Sequence, residues 1–230
     1  TPIHSSAASD VYKRQTMATM ADIKALRQRT GAGILDCKKA LTETDSLDAA
    51  IDWLRAKGIA KAAKKSSRAA TEGLVHAYIH GNGRIGVMIE VNCETDFAAM
   101  NDQFKGLVHD LAMHIAAASP DYVSVDDIPA EDIEKEKKVQ IARVMEEGKP
   151  EHIAARIVDG RIGKWYKDVA LLEQPFVKDD KKTVKQVLQD AVATIGENIQ
   201  IRRFTRYNLG EGLAKKEDNF AEEVAKAAGR

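Results

Sequence analysis

A β-hairpin centred on Asn82 is the feature that most constrains the fold. Apolar and polar side chains alternate over residues 74–80 and again over 84–91, and Gly81-Asn82-Gly83 stands between the two segments. An Asn-Gly pair in this position favours a type I′ turn, because both central residues of that turn need a positive φ. The turn joins strand to strand, and no Gly-x-x-x-x-Gly-Lys-Ser/Thr sequence occurs, so we exclude a phosphate-binding loop and nucleotide binding by this chain itself.

Three helices are predicted after the hairpin. Helical spacing of apolar residues runs from 96 to about 118, over the strongly charged segment 131–147, and over the amphipathic segment 183–195. Pro150 and the glycines of 160–163 are expected to mark turns between these helices.

Residues 199–207 are predicted to form a third strand. The apolar parity shifts between Ile201 and Phe204, which indicates a β-bulge or a change of face. The predicted fold class is therefore α+β, in which residues 73–210 form a core with a three-stranded antiparallel sheet packed by helices.

An N-terminal helical domain is predicted over residues 20–58. Apolar residues follow helical spacing in three short segments, and Gly31-Ala32-Gly33 separates the first segment from the second. Gly58 is expected to end the third helix, since glycine readily adopts the left-handed conformation found after helices. Three short helices of this kind are typical of a ubiquitin-associated-like bundle.

Residues 59–72 are predicted to be a connecting helix or linker between the bundle and the core. Four basic side chains in it share one face at helical spacing: Lys61, Lys64, Lys65 and Arg68. Such a face is either solvated or a contact for RNA or an acidic partner.

The two ends of the chain are predicted to lie outside these domains. Residues 1–19 are expected to be a non-native or disordered leader, with the native start at Met17 or Met20. Residues 211–230 are predicted to form a C-terminal helical module in which Phe220 and Val224 share a face. A helix this short is marginal in water by itself, so it docks on its own core or on a partner.

Composition narrows the classes of function. Lys plus Arg and Asp plus Glu both total 35, which gives a formal net charge of zero, whereas a nucleic-acid-binding protein usually has a basic excess. No apolar run has the length that spans a bilayer. Cys37 and Cys93 fall in different predicted domains and form no disulfide framework, which fits a reducing compartment. We therefore predict a cytoplasmic protein without a membrane partner or a direct nucleic-acid partner.

No catalytic or metal-binding set is visible. His76 and His80 are four residues apart along a strand, hence about 13 Å apart, and His109 and His114 diverge on a helix. No Gly-x-Ser-x-Gly motif or paired carboxylates stand out as a catalytic set. The prediction is a protein that is not an enzyme and that has no metal or cofactor of its own.

A short stretch at the end of the second hairpin strand is the best candidate for a binding site. It reads Cys93-Glu94-Thr95-Asp96-Phe97. The side chains of Thr95 and Asp96 are able to accept the first free N–H groups of a following helix. Phe97 would then lie in the first turn near the surface, as a local core contact or as a group offered to a partner.

The chain resembles the translation elongation factor Ts family in five ordered motifs. They read Leu-Arg-Gln-Arg-Thr-Gly-Ala-Gly-Ile-Leu-Asp-Cys-Lys-Lys-Ala-Leu at 26–41, Cys-Glu-Thr-Asp-Phe at 93–97, Asp-Leu-Ala-Met-His-Ile-Ala at 110–116, Leu-Glu-Gln-Pro-Phe-Val-Lys-Asp at 172–179 and Ile-Gly-Glu-Asn-Ile at 195–199. Together they are far more specific than any one of them. The resemblance implies the bundle-and-core architecture described above.

The resemblance also implies a function and a site. It implies a guanine-nucleotide exchange factor for elongation factor Tu, which binds Tu·GDP, disturbs its Mg²⁺ site, promotes GDP release and stays bound until GTP binds. The implied partner-binding residues are Thr95, Asp96, Phe97, Ala98 and Ala99. Phe97 is the implied wedge between two helices of the partner's G domain, with Asp96 beside it and Thr95 shaping the junction.

Two positions depart from the family's usual motif. Ala98 stands where the family usually has valine, and Met100 stands where it usually has a basic residue. The second change removes a cation of this chain that would face the partner's surface. The chain also carries one core module where longer members carry two, so a homodimer is a further implied partner, with the strand around Phe204 and the helix from Thr183 as candidate surfaces.

Two other functions remain open at this point. One is an RNA-binding module that uses the basic face of residues 61–68. The other is an adaptor in which the bundle binds another protein without nucleotide exchange.

Overall fold

The computed structural model describes residues 19–148 and 150–213. It confirms the α+β class, with helices at the N-terminus and a three-stranded antiparallel sheet in the core. The predicted leader up to residue 18 and the predicted helical tail beyond Leu213 lie outside the described residues.

Three helices form the N-terminal bundle: α1 (Met20–Thr30), α2 (Ile34–Glu43) and α3 (Leu47–Lys65). Side chains cap two of them: the Thr19 hydroxyl accepts a hydrogen bond from the Asp22 backbone N–H in a capping box at the start of α1, and the Ser46 hydroxyl accepts one from the Ala49 N–H at the start of α3. The helices enclose a small core of their own that includes Leu26, Cys37 and Ala50.

The prediction that Gly58 ends the third helix is wrong. Helix α3 continues through Gly58 to Lys65, so half of the predicted linker is helical. A Cβ placed at Gly58 would lie 3.2 Å from the Cβ of Ala193, tighter than almost all real contacts. The glycine therefore lets two helices approach closely, and its helical backbone conformation needs no left-handed residue.

The sheet has the strand order β1 (Glu72–His80), β2 (Ile85–Cys93) and β5 (Gln200–Asn208), all antiparallel. The hairpin is confirmed, although its connection is four residues long, because His80 pairs with Ile85. The glycines at 81 and 83 and Asn82 between them all adopt positive φ values.

The predicted irregularity in the third strand is confirmed. Glu90 pairs with Arg203 while the next residue, Val91, pairs with Ile201, so Arg202 is the extra residue of a bulge. The bulge allows both Ile201 and Phe204 to contact the core.

Helix α5 (Asp102–Ala118) covers one face of the sheet, and helix α8 (Val184–Ile195) packs against α5 and α3 and adds to the same core. The predicted helix over 96–118 is interrupted, because a short helix α4 (Asp96–Met100) precedes α5. At the break Asn101 is extended, and its Oδ1 accepts a hydrogen bond of 2.8 Å from the N–H of Gln103. Asn101 is thus the N-cap of α5.

A helical hairpin of α6 (Ala130–Glu146) and α7 (Glu151–Val169) has its own small core around Val144 and Val158. The expected turn at 160–163 is wrong, since both glycines lie inside α7. A two-stranded ribbon, β3 (Pro175–Phe176) with β4 (Asp179–Thr183), was not predicted. None of the described helices is both long enough and apolar enough to cross a membrane.

Candidate partner-binding loop

The candidate site is the loop that leads from β2 into α4. The strand ends at the buried Cys93, and Thr95 is the N-cap of α4, with its hydroxyl accepting a 3.3 Å hydrogen bond from the N–H of Ala98. The Oδ1 of Asp96 accepts a 2.8 Å hydrogen bond from the N–H of Phe97. The predicted capping by threonine and aspartate is therefore present in the structure.

Phe97 is displayed on the surface rather than packed in the core. Its exposed fraction is 81%, against 0% for Phe104 seven residues later. Most large apolar side chains are placed where folding removes them from water, and burying a phenylalanine is worth about 1.5–3 kcal/mol. That free energy stays available for binding at Phe97.

The other predicted site residues divide between the surface and the core. Asp96 is exposed and Thr95 is half-buried, whereas Ala98 is buried, with only 7% exposed, and Ala99 packs partly against the core. The departure from valine at Ala98 therefore changes core packing, and the departure at Met100 changes the exposed surface.

A carboxylate from a distant part of the chain holds this loop. One oxygen of Glu197 accepts hydrogen bonds of 3.1 Å from the backbone N–H groups of both Glu94 and Thr95. Its other oxygen accepts a 2.6 Å hydrogen bond from the hydroxyl of Thr95. The Thr95 hydroxyl thus donates to Glu197 while it caps α4, so the carboxylate and the helix start are joined through one oxygen.

The contact is reciprocal, because the carboxylate of Glu94 in turn binds the loop that carries Glu197. The Oε1 of Glu94 accepts a 2.6 Å hydrogen bond from the backbone N–H of Asn198, and Arg68 lies 3.4 Å from its other oxygen. These two partners, the N–H first, hold the pKa of Glu94 below its ordinary value of 4.5. We call residues 94–95 and 196–198, joined by these bonds, the carboxylate clasp.

The end of α3 is attached to the same clasp. The side-chain amide of Asn198 donates to the backbone oxygen of Arg68 at 2.7 Å and to that of Ser66 at 3.4 Å. The Nζ of Lys65 donates to the backbone oxygen of Gly196. The bundle's last helix, the Phe97 loop and the start of β5 therefore meet at one polar junction.

Cys93 is a structural residue beneath the loop. Burial, with the negative charge of Glu197 as a second cause, raises the pKa of its thiol above the ordinary value of 9.0. Its Sγ donates to the backbone oxygen of Thr95 at 3.1 Å. A buried thiol with a raised pKa is a poor nucleophile, and Cys37 has the same character in the bundle.

A second polar joint lies deep in the core. The Nε2 of His114 donates to the Oε1 of Gln174 at 2.9 Å, and its Nδ1 accepts from the N–H of Val177 at 3.2 Å. This arrangement needs a neutral imidazole, and burial lowers the pKa of His114 below 6.5. We call these three residues the histidine joint.

One histidine pair was missed by the sequence argument. The Nε2 of His76 on β1 and the Nδ1 of His109 on α5 lie 3.3 Å apart, a contact between two elements that spacing within a single element does not reveal. Within the residues that the structure describes, no group of three or more His, Cys, Asp or Glu side chains is arranged to hold a metal.

Sequence reasoning also missed the roles of Glu197 and Asn198. Both stand in the motif at 195–199, so the resemblance marked the segment without saying what it contacts. In the structure this motif binds the Cys-Glu-Thr-Asp-Phe motif, and the motif at 110–116 binds the motif at 172–179 through the histidine joint.

Comparison with known proteins places this site in a family context. The family model described as Elongation factor TS matches residues 59–211. Elongation factor Ts of Acetivibrio thermocellus is 57% identical over 211 residues, which cover 91% of this chain and 98% of that protein. Elongation factor Ts of Geobacter sulfurreducens is 57% identical over 212 residues, which cover 92% of this chain and 98% of the relative.

Proposed function

The chain belongs to the elongation factor Ts family of translation elongation factors, and from this premise we propose that it promotes GDP release from elongation factor Tu. The observation that carries the proposal is Phe97, a large apolar side chain exposed at the tip of a loop that is itself held firmly. No covalent chemistry is needed, so the chain acts as a binding protein and not as an enzyme. Its place of action is the cytoplasmic translation compartment.

The proposed mechanism is a competition between two ligands of Tu. Mg²⁺ offsets the charge of the bound diphosphate, so a displacement of the groups that hold the metal weakens nucleotide binding. A factor that binds best to the disturbed conformation weakens the binding of GDP to Tu. By linkage, GDP must weaken the binding of the factor to Tu by the same ratio. Phe97 is the wedge that stabilises this conformation, and Asp96 lies beside it at the surface.

Phe97 accounts for only part of the proposed effect. An acceleration of about a thousandfold requires about 4 kcal/mol, whereas burying one phenylalanine supplies about 1.5–3 kcal/mol. Other exposed apolar residues must contribute the remainder. Ile34 and Leu35 at the start of α2 are suited to this, since Leu35 is 83% exposed.

A second copy of the chain is the other proposed partner. The face of the sheet turned away from α5 presents apolar side chains from all three strands: Val75, Ile79, Met88 and Tyr207. Phe204 instead packs against the core, so on β5 it is Tyr207 that is available to such a contact.

The arrangement of the basic face disfavours the RNA-binding alternative. Lys61 lies 2.6 Å from a carboxylate oxygen of Asp36, Lys65 donates to Gly196, and Arg68 lies beside Glu94. Lys61 and Arg68 therefore have carboxylate partners within the chain, which lowers the positive charge that this face offers to phosphates, and Lys65 is held by a backbone carbonyl.

Release of a fluorescent GDP from Tu, followed by stopped flow, tests the proposal. We expect the unsubstituted chain to accelerate release and Phe97→Ala to lose most of the acceleration while keeping its fold. Met145→Ala is the matched control, because Met145 is also exposed but lies in the α6–α7 hairpin. Unaccelerated release with the folded, unsubstituted chain and its cognate Tu would refute the exchange function.

A further inference from the structure

The helix that carries Phe97 is short, and packing of its own residues holds it only in part. Helix α4 has only five residues, and helices this short do not persist by their own hydrogen bonds. Core packing holds α4 through Ala98 and Ala99, but it leaves the exposed side chain of Phe97 without a packing contact of its own. A stable position for Phe97 therefore depends on what fixes the start of α4.

Glu197 provides that fixation. It lies 102 residues from Thr95 in sequence and accepts three hydrogen bonds from two consecutive loop residues. Hydrogen bonds to an ionised acceptor are roughly twice as strong as neutral ones. The bonded groups are the last backbone donors before α4 and the hydroxyl that caps it, so the carboxylate sets the direction in which α4 begins.

We infer that Glu197 is a positioning residue for Phe97, which it holds in the orientation that the partner meets. This assignment rests on the proposed exchange function and adds to it a residue that need not touch Tu. A partner gains less from a mobile phenylalanine, because the free energy of ordering the loop is then subtracted from binding. Because Glu197 already orders the loop in the free protein, this free energy is not subtracted when the partner binds.

The same clasp ties the loop to the bundle. Asn198 donates to backbone oxygens at the end of α3, and its own N–H binds Glu94. The exposed residues of α2 and the exposed Phe97 are thus parts of one connected framework. Glu197 therefore acts on Phe97 directly and on its placement relative to the bundle through the clasp.

A double-mutant cycle separates positioning from a general structural role. The single variants are Glu197→Ala and Phe97→Ala, and the third protein carries both substitutions. GDP release from Tu is measured at saturating concentrations of each protein, and stability is measured by urea unfolding. Glu147→Ala is the control, because it removes a carboxylate that binds Arg161 in the α6–α7 hairpin.

We expect Glu197→Ala to lower the rate of GDP release about tenfold, the scale of losing one hydrogen bond to a charged group. In the Phe97→Ala background the same substitution should lower release less than twofold, because no side chain is left to position. Its cost in stability should be equal in both backgrounds. Glu147→Ala should leave release unchanged.

Two results would overturn the assignment. One is an equal loss of release in both backgrounds, which is what a purely structural role gives. The other is normal release by Glu197→Ala when Phe97→Ala has lost it. No acceleration even by the unsubstituted chain would instead refute the exchange function, and the assignment with it.

A second variant covers the case in which Glu197→Ala does not fold. Glu197→Gln keeps the shape and one oxygen for the backbone donors but loses the charge. It should reduce release to a smaller extent and again only when Phe97 is present. The same reduction in the Phe97→Ala background would refute positioning.

Discussion

The carboxylate clasp and the histidine joint are two solutions to one problem, which is to fix a loop far away in sequence. In the clasp a partly exposed, ionised Glu197 holds a loop whose most prominent side chain, Phe97, faces outward. In the histidine joint a neutral and fully buried His114 holds Gln174 and Val177, beside the buried Phe176.

The difference indicates what each joint is for. His114 and Gln174 are removed from water, so their hydrogen bond maintains the core and leaving either side chain unpaired is costly. The clasp lies at the edge of the core, and the most prominent side chain of the segment that it fixes, Phe97, is exposed to solvent. A buried joint therefore serves stability, and we propose that a joint that displays an exposed aromatic serves binding.

The largest expected effect is on stability, from the histidine joint. His114→Ala removes the ring and leaves the amide oxygen of Gln174 and the N–H of Val177 unpaired. We expect the free energy of unfolding to fall by about 3 kcal/mol, measured by urea denaturation. The folded fraction of this variant should still accelerate GDP release from Tu to the normal extent.

His109→Ala is the control for this substitution. His109 is exposed, so its loss should change stability by less than about 0.5 kcal/mol. Equal losses of stability in the two variants would contradict the distinction between a buried and a surface histidine.

A smaller effect on stability is expected at the clasp. Thr95→Val removes the hydroxyl that caps α4 and binds Glu197, and we expect about 1 kcal/mol of destabilisation together with slower GDP release. Thr95→Ser keeps the hydroxyl and should restore both properties. If serine and valine behaved alike, the hydroxyl would not be the group that matters.

Much of this fold followed from local patterns, and the joints did not. The hairpin, the bulge near Arg202 and the apolar stripe of α5 depend on residues that are close in sequence, so periodicity predicted them. The prediction at Gly58 is wrong because the glycine is needed for the close approach of Ala193, which comes near only when the chain has folded. Glu197 lacks any local signal of its role for the same reason.

The smallest expected effects are those of pH, and they separate the two joints. The folded pKa of His114 lies below 6.5, so the unfolded chain binds more protons as the pH falls through 6.5. The stability from this joint is thus present above pH 6.5 and is lost below it. The folded pKa of Glu94 lies below 4.5, so the stability that Glu94 contributes is kept down to about pH 4.5 and is lost at lower pH.

Unfolding free energies measured from pH 7.5 to 4 test whether the contribution of His114 is lost at a higher pH than that of Glu94. His76 also has a pKa lowered by burial and by the nearby His109, so it too contributes to the slope below pH 6.5. The part due to the histidine joint is therefore the slope that His114→Gln removes. A His114→Gln variant with an unchanged slope between pH 6.5 and 5 would contradict the buried neutral histidine.

The central claim is that Phe97 couples this chain to the nucleotide site of Tu. The most direct test is the affinity of Tu for GDP with and without the chain at fixed free Mg²⁺, together with the affinity of the chain for Tu with and without GDP. We predict that each ligand weakens the other by the same large factor, and that Phe97→Ala reduces this factor while Met145→Ala does not. A coupling factor that Phe97→Ala leaves unchanged would contradict the account.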